Sequence, residues 1–482
     1  MAYRKIAGPD QPRSWAIALA GCIINTLLSG ITRATGIIYV ALVDTYQVSR
    51  LQANLPFTLR NIVRSLGGPL AGAIGQRYGP RDVTIVGGVL SSLGIMLCYF
   101  APNILWIIIL WGGIHGFGVA LANTLFQVII TQYFLKYRAT ASGLALSGAC
   151  LGAFAFPVIL EYMLANFGLA GTFLLTGGLI MHVLPASIMM VEPPWVRETT
   201  VKDSNNPLIS KQNDDSYPSQ VTYVIPEESK EKPDVIEDET EKQFKCIQCP
   251  DSLVHLNSEN SIAEVKLHVQ ISKEIQENSI SKGTLKILKD PMFHMISLSF
   301  AAFALVIDFS ITVIVDYFMD KGLMEETGKY FISIMSIGDL IGRLSFGWVT
   351  DKNYLSVATY MFVLQVGLGA CQMLLAVLYT FNALMVVVFI QGLISGATLI
   401  MFPILVGKYL QSVQSLAIGF NTFLYGVLSF AVAPMIGYFR DTVGSYDGMF
   451  YITGGLSVAV GFLWIFEPLL LRLGSKIWKR SK

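Results

Sequence analysis

Charge is scarce in this chain of 482 residues: Asp, Glu, Lys and Arg make up 14% of it, and 53% is hydrophobic. A soluble protein carries about 25% charged residues, so an ordinary soluble enzyme is excluded. The formal net charge is only +1, which excludes the basic surface a nucleic-acid binder uses to neutralise phosphates. Cysteine is sparse too. Four of the six lie in apolar stretches (Cys22, Cys98, Cys150 and Cys371), where a lone thiol behaves as a small hydrophobe; they are no disulfide framework. Cys246-x-x-Cys249, followed by His255 and His268, lacks the second pair or the histidine spacing of a zinc site and reads as two reduced thiols. There is no Asn-x-Ser/Thr sequon. His115, His182 and His294 are scattered, with no HExxH or GxSxG near them, so a membrane enzyme is not expected, nor a metal or other cofactor.

What the chain does have is long apolar runs. A membrane-crossing helix needs about 20 mostly apolar residues. Twelve such runs occur, at 15–43, 54–76, 83–101, 105–128, 138–164, 170–191, 291–317, 328–350, 355–380, 383–407, 415–438 and 448–471. Barrel strands would be about 10 residues of alternating pattern, and lipid leaves unpaired backbone no other partner, so these are helices. The first run exceeds the apolar core of a signal peptide. The expected organisation is a cytosolic N-terminus (1–14), a six-helix half (15–191), a long loop (192–290), a second six-helix half (291–471) and a basic cytosolic C-terminus (472–482). The loop holds 12 Lys and Arg against 19 Asp and Glu; rich in Ser, Asn and Pro and poor in aromatics, it is expected to be largely disordered. Its end, 283–290, reads as a short helix on the membrane surface.

Two halves of six helices are the plan of a secondary transporter. A weak repeat supports it: Gly72-x-x-Gly75-Gln76-Arg77-x-Gly79-x-Arg81 follows the second span, and Gly347-x-x-x-Asp351-Lys352 follows the eighth. Both resemble the loop signature of the major facilitator superfamily, and the first departs from it at Gln76, where the family has an acid. With the N-terminus inside, 14 Lys and Arg flank the spans on the cytosolic side and four (Arg50, Lys321, Lys329, Arg440) on the other, which sets both termini in the cytosol.

Three stretches resemble the proton-linked monocarboxylate transporter family. Tyr133-Phe134-x-Lys136-x-Arg138-x-x-Ala141-x-Gly143-x-Ala145-x-x-Gly148 matches that family at every fixed position. Gly437-x-x-x-Asp441-x-x-Gly444-Ser-Tyr446-Asp447-x-x-Phe450 is similar to a second signature, and Asp339-x-x-x-Arg343 to its charged pair in the eighth span. The opening motif departs: Pro9-Asp10 and Trp15 remain, but its glycines are replaced. The resemblance implies an all-α membrane protein of twelve helices that moves a small monocarboxylate with a proton, residing in the plasma membrane. It also implies, as a candidate partner, a single-span glycoprotein chaperone. The other expected partners are the organic anion, the proton and the lipid bilayer.

Ionisable residues in spans are costly and are functional candidates by default. Here they are Arg33, Arg60, Arg64, Asp308, Asp339 and Arg343, with Glu161 and Asp316 nearer the span ends. Asp339 and Arg343, four apart, share a helix face. An arginine fork suits a carboxylate, so an incoming monocarboxylate can compete for Arg343 and free Asp339 to take a proton; the alternative is a static ion pair. The resemblance implies the same roles. Arg33 stands where many members have lysine. Arginine does not deprotonate in proteins, so Arg33 can hold an anion but cannot pass on a proton, which leaves Asp339 as the main carrier and Asp308 as a second proton site or as a partner of Arg60 and Arg64. Those two arginines share a face and add positive potential for substrate. Lys136, Arg138, Arg77, Arg81, Asp351 and Lys352 belong to the gating loops. Two other functions stay open: a proton-independent carrier of an amino acid, creatine or other zwitterion, and a non-transporting sensor or scaffold built on the acidic loop.

Overall fold

The computed structural model describes residues 9–191, 193, 284, 287–322 and 325–480, and every regular element among them is helical. The first span is two helices, α1 (Pro12–Arg33) and α2 (Thr35–Tyr46). The second is α3 (Arg50–Leu66) and α4 (Gly68–Tyr78). α5 (Pro80–Leu97), α6 (Ile104–Tyr133) and α7 (Arg138–Met189) complete the first half. The second half comprises α8 (Pro291–Asp320), α9 (Glu325–Ser345), α10 (Val357–Val377), α11 (Phe381–Tyr409), α12 (Gln414–Val443) and α13 (Asp447–Leu463), followed by α14 (Glu467–Arg480).

Among the described residues, ten helical stretches are long and apolar enough to cross a membrane. Two further crossings complete the six-plus-six plan. α7 turns at Gly168, whose φ of +65° only glycine adopts without strain, so its 52 residues make two spans. The α3–α4 pair is less apolar because it carries Arg60, Arg64 and Arg77. Span entries are marked by polar caps. Asp290 accepts a hydrogen bond from Met292 N and Ser356 from Thr359 N, each satisfying a helix-end donor that lipid would leave bare.

Small residues set how closely the helices approach. A Cβ on Gly148 would lie 2.1 Å from Cys22 O, and one on Gly152 would lie 2.5 Å from Gly30 Cα. α1 and α7 thus touch backbone to backbone, a small-residue contact typical of membrane helices. The same device joins the two halves. Gly68 meets Gly419 O (2.4 Å), Gly72 meets Ser415 O (2.6 Å) and Gly143 meets Arg343 O (2.0 Å) on the same measure.

The face that carries the start of α1 and the α4–α5 turn is called the terminal side here, and the opposite face the far side. On the terminal side Gln414 Nε2 donates to Thr131 Oγ1 (2.6 Å), and Asp351 reaches from one half to the other, so the halves are sealed there. On the far side the second half is tied within itself. Arg440 binds Asp316 and Asp320, Tyr446 donates to Asp316, and Tyr317 donates to Asp447. Tyr446, in the loop before α13, is pushed up to about 12 by burial and by its hydrogen bond to Asp316, so it remains a donor throughout the physiological range.

The loop expected over 192–290, including Cys246 and Cys249, lies outside the described residues except at its ends. Of the surface helix expected over 283–290, residues 284 and 287–289 are helical.

Candidate functional site

Asp339 and Arg343 sit on α9 one turn apart, and glycines fix which way they face. Gly338 and Gly342 lie against α11, where added Cβ atoms would come within 2.4 Å of Phe389 O and 2.1 Å of Leu393 O. α9 therefore presses its bare face on α11 and turns its charged pair toward α7 of the other half. Arg343 donates to Asp339 twice, Nε to Oδ1 at 2.8 Å and Nη2 to Oδ2 at 2.6 Å. Both residues are buried, at 3% and 6% exposure. Two bonds cross to α7: Arg343 Nη1 donates to Leu146 O (2.8 Å), and the Cys150 thiol donates to Asp339 Oδ2 (3.3 Å).

A third charge crosses from α1. Arg33 Nη2 lies 3.5 Å from Asp339 Oδ2. Arg33 is the last residue of α1, and the first span breaks immediately after it at Ala34 (φ −103°, ψ 7°). Two guanidiniums thus share one carboxylate. The cluster carries one uncompensated positive charge and is complementary to a monoanion.

The other sequence candidates fall into separate places. Arg60, 3% exposed, donates to Thr32 Oγ1 (2.6 Å), Asn61 Oδ1 (3.2 Å), Leu28 O (3.5 Å) and His115 Nε2 (3.4 Å). His115 Nδ1 faces Ser91 O and Ser91 Oγ, so a neutral ring protonated on Nδ1 satisfies every contact. Arg64 lies over the Tyr425 ring at 5.8 Å, and Tyr425 donates to Asp308 Oδ1 at 3.0 Å. The two arginines of α3 therefore face different partners: Arg60 stays within its half, and Arg64 packs on Tyr425, which bonds Asp308.

The loop residues also divide. Asp351 accepts from Ala139 N (2.8 Å), Thr140 N (2.8 Å) and Thr140 Oγ1 (2.6 Å), so the acid of the second repeat caps the first turn of α7 across the halves. Arg138 donates to Phe134 O (2.6 Å). Lys136, Arg77 and Lys352 lie over Tyr137, Tyr78 and Trp348. Arg81 keeps a buried Nε without a hydrogen-bond partner. The retained Pro9-Asp10 and Trp15 meet the Tyr133–Arg138 stretch. Asp10 accepts from the amides of Leu135, Lys136 and Tyr137, and Trp15 packs edge-on against Phe134 at 5.1 Å.

Cys150, His115, Thr32 and Tyr425 were not singled out as site residues from sequence. A signal existed for one of them. Leu146 and Cys150 follow Gly143 at steps of three and four, so all three share the α7 face that Gly143 lays against Arg343.

Residues 21–356 match the model of the Major Facilitator Superfamily. Monocarboxylate transporter 12 of Xenopus laevis is 24% identical over 98% of this chain and 91% of its own length. Monocarboxylate transporter 13 of Rattus norvegicus is 21% identical over 94% and 88%. Among solved structures, the fucose:proton symporter FucP of E. coli superposes with a TM-score of 0.64 at 12% identity, covering 93% of this chain and 98% of that one. The chain belongs to the major facilitator superfamily and is a multi-pass membrane protein of the secondary-transporter kind.

Proposed function

We propose that the chain carries a small monocarboxylate of the lactate, pyruvate or ketone-body class together with a proton, by alternating access around Arg33, Asp339 and Arg343. The observation that carries this reading is the sharing of the Asp339 carboxylate by two guanidiniums from opposite halves. A substrate carboxylate takes over one guanidinium, and a bidentate fork suits it. Asp339, then less compensated in a buried place, accepts the proton, and anion and proton cross as a neutral pair. Arg33 holds the anion but does not carry the proton. Arg60 and Arg64 add positive potential on the side of the first half. The names of the relatives, both monocarboxylate transporters, support the substrate class.

Opening to the terminal side then requires the seal to part: Asp351 from Ala139 and Thr140, Gln414 from Thr131, with Lys136, Arg138, Arg77, Arg81 and Lys352 around it. We place the termini in the cytosol on the basic bias of the terminal-side loops, and the protein in the plasma membrane on its likeness to the monocarboxylate transporters. A single-span glycoprotein chaperone is the partner to seek by co-purification.

A second reading has an observation of its own. Asp308, with Tyr425 on it, offers a carboxylate in the second half that would suit a cationic group, and hence a proton-independent carrier of a zwitterion such as an amino acid or creatine. A radiolabelled uptake panel in proteoliposomes at pH 6 and pH 7.5 separates the two. Monocarboxylate uptake that rises at pH 6 and is lost in Asp339→Asn is the expected result. pH-independent uptake of a zwitterion, sensitive to Asp308→Asn, would favour the second.

A further inference from the structure

A groove of about 530 Å³ lies on the second half, between the start of α8 and the end of the twelfth span, and none of its lining belongs to the cluster around Asp339. Its walls include Met295, Leu298, Leu463 and Phe466, and its mouth holds Lys289 and His294. A short 3-10 turn, Trp464–Phe466, separates α13 from α14 at this level. It turns Trp464 inward, where Nε1 donates to Ser299 Oγ (2.9 Å), and leaves Phe466 52% exposed.

We propose that this groove binds an anionic glycerophospholipid, with one acyl chain along the apolar walls, the phosphate at Lys289 and a headgroup hydroxyl at His294. The axial layout fits an amphiphile. Lys289 immediately precedes the Asp290 cap and Pro291, where α8 enters the membrane, and Leu298 lies nine residues on, roughly 13 Å deeper along a helix. The charge fits an anion. Lys289 is exposed. The neighbouring Asp290 carboxylate is turned to Met292 N (2.8 Å) as a helix cap. His294 Nε2 donates to Leu288 O (2.8 Å), which fixes the ring and leaves Nδ1 to accept a hydrogen bond from a headgroup hydroxyl. A basic lip above an apolar inter-helix groove is the chemistry that selects an acidic headgroup over a zwitterionic one.

The test uses the purified full chain, equilibrated with phosphatidylglycerol and phosphatidylcholine of identical chains, with retained lipid counted by native mass spectrometry. Phosphatidylglycerol should be retained at about one per chain and preferred roughly fivefold or more, the contribution of one cation at an anionic surface. Lys289→Glu should abolish the preference, His294→Ala should weaken it, and Leu298→Trp, which fills the groove, should remove retention of both lipids. Lys289 and His294 lie on the surface, so their variants test the lip without burdening the core. Equal retention of the two lipids, a preference unchanged in Lys289→Glu, or equal retention of glycerol phosphate without acyl chains would each overturn the proposal.

Discussion

The first half brings three arginines to its spans, Arg33, Arg60 and Arg64, whereas the second brings two acids and one arginine, Asp308, Asp339 and Arg343. The halves are therefore unlike in charge although alike in plan. Arg33 meets Asp339 and Arg64 reaches Asp308 through Tyr425, both across the boundary between halves. Only Arg343 has its acid on its own helix. Charge pairs placed across a moving boundary change strength as the halves move, whereas a pair within one helix does not. That difference gives a transporter a way to link a proton and an anion to the state of the bundle.

Removing the intra-helix pair should break the comparison most severely. Losing one partner of a buried pair costs about 3–5 kcal/mol. Arg343→Ala and Asp339→Asn are therefore expected to lower substrate uptake by on the order of a hundredfold or more, measured as initial rates in proteoliposomes holding equal amounts of folded protein. Arg33 sharpens the contrast, because its side chain is 35% exposed and such a pair is worth at most about 1 kcal/mol. Arg33→Ala should raise the KM for the anion severalfold, and Arg33→Lys should restore most of it. A smaller effect is expected at the terminal seal. Asp351→Ala removes a cap worth about 1 kcal/mol, and a reporter cysteine (Thr131→Cys) should then be labelled severalfold faster from the terminal side. The smallest is expected at Cys150, whose thiol is a weak donor. Cys150→Ala should reduce the rate by about twofold on that account, and Cys150→Ser should leave it near the parent value.

Much of the fold was legible because lipid allows only helices and demands their length. The break between the spans at 138–164 and 170–191 fell at Gly168, as composition suggested. The pair Asp339–Arg343 was legible from its spacing of four. Its crossing partners were not, because Cys150, Leu146 and Arg33 are distant in sequence and meet Asp339 and Arg343 only through the packing of α7 and α1 on α9. Arg60 and Arg64 read alike in sequence, being four apart, yet burial separates them: one is enclosed by Thr32 and His115, the other lies against Tyr425. The opening motif shows why part of a signature can survive. Asp10 caps three amides and Trp15 packs on Phe134, so each retained end of the motif keeps a contact of its own.

The central claim is that a cluster of two guanidiniums and one carboxylate moves one anion with one proton. It is tested most directly by radiolabelled lactate uptake into proteoliposomes under an imposed pH gradient, with membrane potential set independently by potassium and valinomycin. Accumulation driven by the pH gradient and indifferent to potential is expected, and Asp339→Asn should abolish that accumulation. Uptake that follows potential and ignores the pH gradient would contradict the claim.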